Sequence, residues 1–173
     1  MMRGNLIVAA TLLVSLLNSS IPAFAAGADG FCVGLKSVAA QTGTGFAKFR
    51  GAQISVRHGT SGLTYTDYTY AATRALPGAI QSSCEIITTI DVGKRSGSYR
   101  CFFEYGGPKR LSKLQTLGAA IAHCIGPTTD DNIDIYPDED VGSIDFVRSS
   151  FQVSIDASDS QPLVLLISKP SHL

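Results

Sequence analysis

Four cysteines, spread over most of the chain, set the strongest limit on its fold. They are Cys32, Cys84, Cys101 and Cys124, at intervals of 52, 17 and 23 residues. Structural zinc sites usually contain a pair of cysteines only about two to four residues apart, so these intervals favour disulfides over a metal. An even number of cysteines is also typical of two disulfide bonds in an exported chain.

The first 25 residues predict export, in a form typical of bacterial leaders. A short basic start precedes the apolar run Leu6–Leu17, which is shorter than a membrane span of about 20 residues. The small-x-small sequence "AFA" then ends at Ala25, where we expect signal-peptidase cleavage, with Ala26 as the neighbouring choice. Removing 25 of the 173 residues leaves 148, so residues 26–173 are predicted to form one periplasmic or secreted domain without a membrane span.

Hydrophobic spacing in the remaining chain predicts an α+β domain. Apolar residues recur at helical intervals after Asp29, which is expected to cap a first helix, and again from Leu111 to Cys124. Alternating patterns predict four strands between these helices and three after the second. The seven predicted strands are Ala52–Arg57, Leu63–Ala71, Cys84–Ile90, Tyr99–Tyr105, 143–149, 151–158 and 162–169. A turn at Gly93, Ser96 and Gly97 is predicted to join the third strand to the fourth. We expect a mostly antiparallel sheet with both helices packed on one face.

This arrangement favours one disulfide pattern. If the helices run antiparallel, Cys32 near the start of the first meets Cys124 near the end of the second. Cys84 and Cys101 then pair across a hairpin. Pairing of Cys124 with Cys84 or with Cys101 stays open. Each bridge stabilises the fold by about 3–5 kcal/mol in the chain-entropy model.

The stretch "ISVRHGT" raises the question of catalysis, because Arg57-His58-Gly59 follows a predicted strand. It resembles the opening motif of the histidine phosphatases. That resemblance implies His58 as the phosphate-accepting nucleophile and Arg57 as the residue that holds the phosphoryl oxygens. The family also needs a second histidine, and here the others are His123, on a predicted helix beside a cysteine, and His172, next to the last residue. The sequence therefore favours a solvent-exposed turn after the strand, with Arg57 and His58 as the candidate catalytic residues if there is an activity.

The acidic segment Thr128–Asp140 is predicted to be a loop, and it raises the question of calcium binding. Its candidate ligands Asp130, Asn132, Asp134 and Asp138 occupy positions 1, 3, 5 and 9 of an EF-hand-like loop. Position 6 is Ile135 where glycine is required, and position 12 is Val141 where a bidentate glutamate is expected. A solvated loop without metal or other cofactor is therefore the favoured interpretation.

Charge is balanced over the whole chain but divided along it. Eleven Lys/Arg oppose four Asp/Glu from Lys36 to Lys113, whereas nine Asp/Glu oppose two Lys/Arg from Leu114 to the end. The basic clusters are too small to predict nucleic-acid binding. We predict a non-enzymatic binding protein, such as an adaptor, inhibitor or immunity-type partner of another envelope protein. The alternative is a small envelope hydrolase of phosphate esters or cell-wall material, with Arg57, His58 and a carboxylate of the acidic segment in one cleft.

Overall fold

A computed structural model describes residues 28–59, 64–103, 110–158 and 162–170. Cleavage after Ala25 lies outside these residues and stays a prediction. The described chain contains two helices, and each is followed by four strands. The elements are α1 (Ala28–Ala39), β1 (Arg50–His58), β2 (Tyr65–Ala72), β3 (Glu85–Asp91), β4 (Lys94–Phe103), α2 (Arg110–Ile125), β5 (Asn132–Tyr136), β6 (Val141–Val147), β7 (Gln152–Ala157) and β8 (Leu163–Ser168).

The eight strands form one antiparallel sheet in the order β1-β2-β3-β4-β8-β7-β6-β5. The two halves of the chain thus have the same succession of elements, and they meet where β4 pairs with β8. This order makes β1 and β5 the two edges of the sheet. The predicted α+β domain with an antiparallel sheet is confirmed.

The core lies on one face of the sheet, where every second side chain of the central strands is buried. Helix α1 contacts β8, helix α2 contacts β6 and β7, and the two helices contact each other. Both helices therefore cover this helix-side face, as predicted. The opposite face carries no helix in the described residues, and it is called the open face below. The buried strand residues on the helix side are Ile86, Thr88, Tyr99, Cys101, Phe103, Gly142, Ile144, Phe146, Val153, Ile155, Ala157, Leu163, Leu165 and Ile167.

All four cysteines are paired, in the pattern that the sequence favoured. The Cys32–Cys124 bridge joins the first turn of α1 to the last turn of α2, with the two Cα atoms 5.0 Å apart. The Cys84–Cys101 bridge spans 4.1 Å between Cα atoms. Glu85 pairs with Arg100, so the ladder itself brings Cys84 beside Cys101. One bridge thus ties the helices together, and the other fixes the start of β3 to β4.

Two local predictions need correction. Asp29 is not a cap, because it lies within the first turn of α1. Its negative charge there still interacts favourably with the helix dipole. The turn between β3 and β4 is also shorter than predicted, because Ser96 and Gly97 lie inside β4. Only Val92 and Gly93 separate the strands, with φ values of 44° and 77°. Positive φ at both residues of a two-residue turn gives a backbone twist that matches the right-handed twist of the flanking strands.

The acidic segment is not the loop that was predicted, because it contains strand β5. Residues Asn132–Tyr136 pair in register with β6, and a short 3-10 turn, Pro137–Glu139, connects the two strands. Four of the five β5 residues are exposed, since an edge strand has a neighbour on one side only. Apolar and polar residues do alternate in "NIDIY", but only over five residues inside an acidic segment, so the signal is weaker than in the longer strands.

Candidate functional site

Arg57 and His58 lie side by side on β1 but project from opposite faces of the sheet. Arg57 stands opposite Asp67 on the open face, and His58 stands opposite Thr66 on the helix side. The His58 Nδ1 atom is 3.2 Å from the Thr66 hydroxyl. Because successive side chains of a strand point to opposite faces, one phosphate group cannot contact both residues from this strand. The pairing that the phosphatase resemblance requires is not present.

The acidic residues lie at the other edge of the sheet. Seven strand intervals separate β1 from β5, which is about 34 Å at roughly 4.8 Å for each interval. The cleft that would combine Arg57, His58 and a carboxylate of the acidic segment therefore does not form within one molecule. This geometry gives the hydrolase alternative no support.

The four candidate calcium ligands are not gathered around a common point. Asn132 and Asp134 share the open face of β5, where the Asn132 amide donates to Asp134 Oδ2 at 2.8 Å. Asp130 lies in an exposed turn, and the side chain of Asp138 is outside the described part of the structure. In the described residues no group of three or more His, Cys, Asp or Glu side chains is placed to hold a metal ion.

Asp131, which the sequence analysis did not single out, forms several hydrogen bonds with Arg148 and Thr128. Arg148 Nη1 donates to Asp131 Oδ1 at 2.6 Å, and the Thr128 backbone N–H donates to Oδ2 at 2.8 Å. Arg148 also donates to the carbonyl oxygens of Val147 and Gly126. Burial alone would raise the pKa of Asp131, but the hydrogen bonds from Arg148 and Thr128 outweigh it and lower that pKa. This cluster fixes the end of α2 to β6, which is a structural role.

Neither of two shallow depressions in the described surface contains His58. One, of 370 Å³, lies at the end of α1 and is lined by Ala39, Ala40, Thr42, Gly43, Ser150 and Lys169. The other, of 280 Å³, lies near the β5–β6 turn and is lined by Tyr136, Glu139, Val141, Gly142, Ser143, Asp156, Ala157 and Ser158. A concave site that combines His58 with a carboxylate is thus not seen in either.

The two edge strands, β1 and β5, are the most exposed strands of the described residues, and β1 is the longer of the two. Seven of its nine residues are exposed, including Ile54 at 60% and Val56 at 40%. The irregular register is confined to Arg50–Ser55, so the last part of the strand is straight. An exposed apolar edge strand is a template for pairing with another chain, unless bulges or charges protect it.

The backbone groups available on this edge follow from the ladder. The Gly59 N–H donates to the Tyr65 carbonyl at 2.8 Å. In an antiparallel pair, consecutive residues alternately direct their N–H and C=O groups toward the partner strand and away from it. Arg57 therefore faces β2, whereas the N–H and C=O groups of Val56 and His58 point away from the sheet. Two residues with donor and acceptor pairs are thus presented on a regular edge.

The cation of this edge is Arg57. Arg50, the other arginine of β1, is held within the molecule: its Nη2 donates to the Gly45 carbonyl at 3.0 Å, and its guanidinium lies 5.3 Å from the ring centre of Tyr70. Arg57 is exposed, and no acidic residue lies in β1. The edge therefore combines apolar side chains, unpaired backbone groups and one positive charge.

Sequence reasoning missed this surface because strand order depends on distant pairings. The residues of interest are Ile54 and Val56 on β1, with Ile133 and Ile135 on β5. In both segments isoleucine or valine alternates with polar residues, as in "NIDIY" from Asn132, and this weak alternation was the only local signal.

The chain matches no protein-family model, and neither the curated proteins nor the solved structures contain a protein to which it shows significant similarity. No helix in the described part of the chain is long and apolar enough to cross a membrane. The two disulfides of this small α+β domain are consistent with an oxidising compartment outside the cytoplasm.

Proposed function

We propose that the protein is an exported, non-enzymatic binding protein that recognises a protein partner of the cell envelope. One observation carries the proposal: β1 is an exposed edge strand with seven of nine residues in solvent and with apolar side chains at Ile54 and Val56. The two disulfides support a rigid domain in the periplasm or outside the cell. The predicted N-terminal signal peptide supports the same compartment.

The binding mode is addition of a partner strand to β1. The N–H and C=O groups of Val56 and His58 supply hydrogen bonds that do not depend on the partner's sequence, and the adjacent side chains supply specificity. Val56 favours an apolar residue on the helix-side face. Arg57 favours a carboxylate on the open face, because oppositely charged residues across a ladder attract. The expected ligand is thus an extended segment in which an acidic residue lies between two apolar ones.

Affinity capture from an envelope extract with the oxidised mature protein tests this proposal. We compare wild type with Val56→Pro, which removes an outward N–H, and with Ile135→Pro at the opposite edge as the matched control. Proline is tolerated at edge positions whose N–H faces solvent, so both variants are expected to fold, and near-ultraviolet circular dichroism checks this.

The proposal predicts a stoichiometric partner that wild type and Ile135→Pro capture and that Val56→Pro loses. High salt weakens the capture, because Arg57 is an exposed charge. Equal capture by Val56→Pro and wild type would show that the partner binds elsewhere on the molecule.

A further inference from the structure

The two edges of the sheet are complementary in strand direction. Every neighbouring pair of strands is antiparallel, and the sheet has eight strands. With an even number of alternating strands, β1 and β5 run in opposite directions. A second copy placed edge to edge, with its helices on the same side, therefore brings its β5 antiparallel to β1 of the first.

The hydrogen-bonding groups of the two edges also match. The registers of the ladders between β2 and β5 contain no shift. The alternation that directs Val56 and His58 outward can therefore be followed across the sheet to β5. It leaves the N–H and C=O groups of Ile133 and Ile135 directed outward. Each edge thus offers two outward residues separated by one inward residue.

The side chains agree with the same alignment. Val56 and His58 lie on the helix side, because the row that contains Val56 continues through Tyr68 to the buried Thr88. Ile133 lies on the same side, since it stands opposite the buried Ile144. Setting Val56 against Ile135 therefore joins two apolar residues on that face, and His58 falls opposite Ile133.

The remaining residue of each edge then forms a charge pair. Arg57 falls opposite Asp134, and both project from the open face. Opposite charges directly across an antiparallel ladder are stabilising, and like charges at these positions are destabilising. The exposed Asp130 and Glu139 flank β5 and add to its negative field. One register thus satisfies the backbone, the apolar contacts and the charges together.

Pairing of like edges lacks this agreement. If two β1 strands join with Val56 opposite His58, Arg57 stands opposite Arg57 of the second copy. If two β5 strands join with Ile133 opposite Ile135, Asp134 stands opposite Asp134. Both arrangements place equal charges directly across the ladder. The charges of the edges therefore disfavour these symmetric dimers and favour the unlike pair.

We propose that the partner of β1 is strand β5 of a second copy of this chain, so that copies assemble head to tail into a continuous sheet. This inference rests on the proposed use of β1 as a binding edge and names its occupant. Each copy keeps one free edge after pairing. Since strands turn by roughly 20–25° relative to each neighbour, eight strands turn by about 160–200°. Successive copies therefore form an open assembly whose size depends on concentration.

Complementary blocked variants test the proposal. Val56→Pro removes an outward N–H from β1, and Ile135→Pro removes one from β5. The oxidised mature protein, each variant, and an equimolar mixture of the two are analysed by light scattering and sedimentation velocity from micromolar to millimolar concentration. We expect wild type to form larger species that high salt dissociates. Each variant alone keeps only one edge that can pair with another copy. Because two like edges place equal charges opposite each other, the variant is expected to stay monomeric.

The mixture gives the decisive result. Ile135→Pro still offers β1 and Val56→Pro still offers β5, so the two variants together are expected to form a one-to-one dimer and nothing larger. Arg57→Glu and Asp134→Lys each weaken the assembly of the otherwise unblocked protein, and the double variant restores it by reversing the pair. A wild type that stays monomeric at low salt and millimolar concentration, or a mixture that stays monomeric, overturns the inference.

The same variants separate this inference from the proposed function. If Val56→Pro abolishes capture of a different envelope protein while the mixture stays monomeric, β1 is a binding edge with another occupant. If the mixture dimerises and no other envelope protein is captured, the second copy is the partner.

Discussion

Arg57 on β1 and Asp134 on β5 project from the same open face at the two opposite edges of the sheet. The unequal distribution of charge along the sequence thus becomes a separation in space. Part of it is neutralised inside the molecule, where Arg110 of the basic part lies 3.6 Å from Asp140 of the acidic part. Arg57 and Asp134 are too far apart to pair with each other. Arg57 stands opposite Asp67 in the β1–β2 ladder, but both Arg57 and Asp134 are exposed and can also meet a partner.

Asp131→Asn is expected to lower the free energy of unfolding by about 3 kcal/mol, because it leaves the Arg148 guanidinium largely buried without its carboxylate. The side chains of the pair are only 11% and 13% exposed, so solvent screens them little. Urea unfolding at neutral pH measures the change. Asp130→Asn is the matched control, since the neighbouring carboxylate is exposed and is expected to contribute less than about 0.5 kcal/mol.

The same pair predicts a pH dependence of stability. The pKa of Asp131 lies below its ordinary value of 3.8 in the folded protein. A lowered folded-state pKa gives stability that is present above the unfolded-state value and is lost as the pH falls through the folded-state value. Wild type is therefore expected to lose stability relative to Asp131→Asn as the pH falls below about 4. Parallel curves for the two proteins in acid denaturation would contradict this assignment.

The two disulfides are expected to differ in reactivity. Cys84 and Cys101 are 4% and 0% exposed, whereas Cys32 is partly exposed between the helices. Because exchange requires access of a thiolate to sulfur, graded reduction of the folded protein should open Cys32–Cys124 first. Alkylation followed by peptide mass spectrometry identifies the bridge. Simultaneous opening of both bridges would show that reduction proceeds through global unfolding.

Removal of the two bridges should also have unequal effects on stability. The Cys32–Cys124 bridge closes a separation of 92 residues, and Cys84–Cys101 closes one of 17. In the chain-entropy model these loops correspond to about 4.6 and about 3 kcal/mol. The double alanine variant of the first pair is thus expected to unfold at lower urea concentration than that of the second. The reverse order would mean that packing around Cys101, rather than loop length, dominates.

Gly97→Ala is expected to destabilise the fold by about 1–3 kcal/mol through a backbone clash. A Cβ atom on Gly97 would lie 2.8 Å from the Cα atom of Gly45, which belongs to the segment packed on β4. Gly30→Ala is the control, because nothing lies within 4 Å of its Cβ position in α1. This helix substitution is expected to be neutral or stabilising by up to about 1 kcal/mol. Thermal unfolding of both variants distinguishes the clash from a general effect of alanine.

The sequence predicted those parts of the fold that burial marks locally. Burial alternates along β6, β7 and β8 because one face meets the helices. In sequence β6 and β7 alternate, whereas β8 was recognised by its continuous apolar run Leu163–Ile167. The cysteine pairing followed once the helices were taken as antiparallel. Strand β5 was missed because its alternation covers only five residues of an acidic segment, and Ile133 is 63% exposed.

The candidate site was harder to predict than the fold. Arg57 and His58 attracted attention as a motif, but their separation onto two faces depends on the strand that contains them. The binding role that we propose for Val56 depends on the position of β1 at the edge, and that position is set by the order of all eight strands. No local pattern encodes that order, because it results from contacts between distant segments.

Residue-resolved amide hydrogen exchange of β1 tests the central claim most directly. In dilute protein the account predicts slow exchange at Arg57, whose N–H faces β2, and fast exchange at Val56 and His58. On binding, whether to a captured envelope protein or to a second copy at high concentration, Val56 and His58 become protected and Arg57 changes little. Fast exchange at Val56 and His58 that persists in the bound state would contradict the use of β1 as the binding edge.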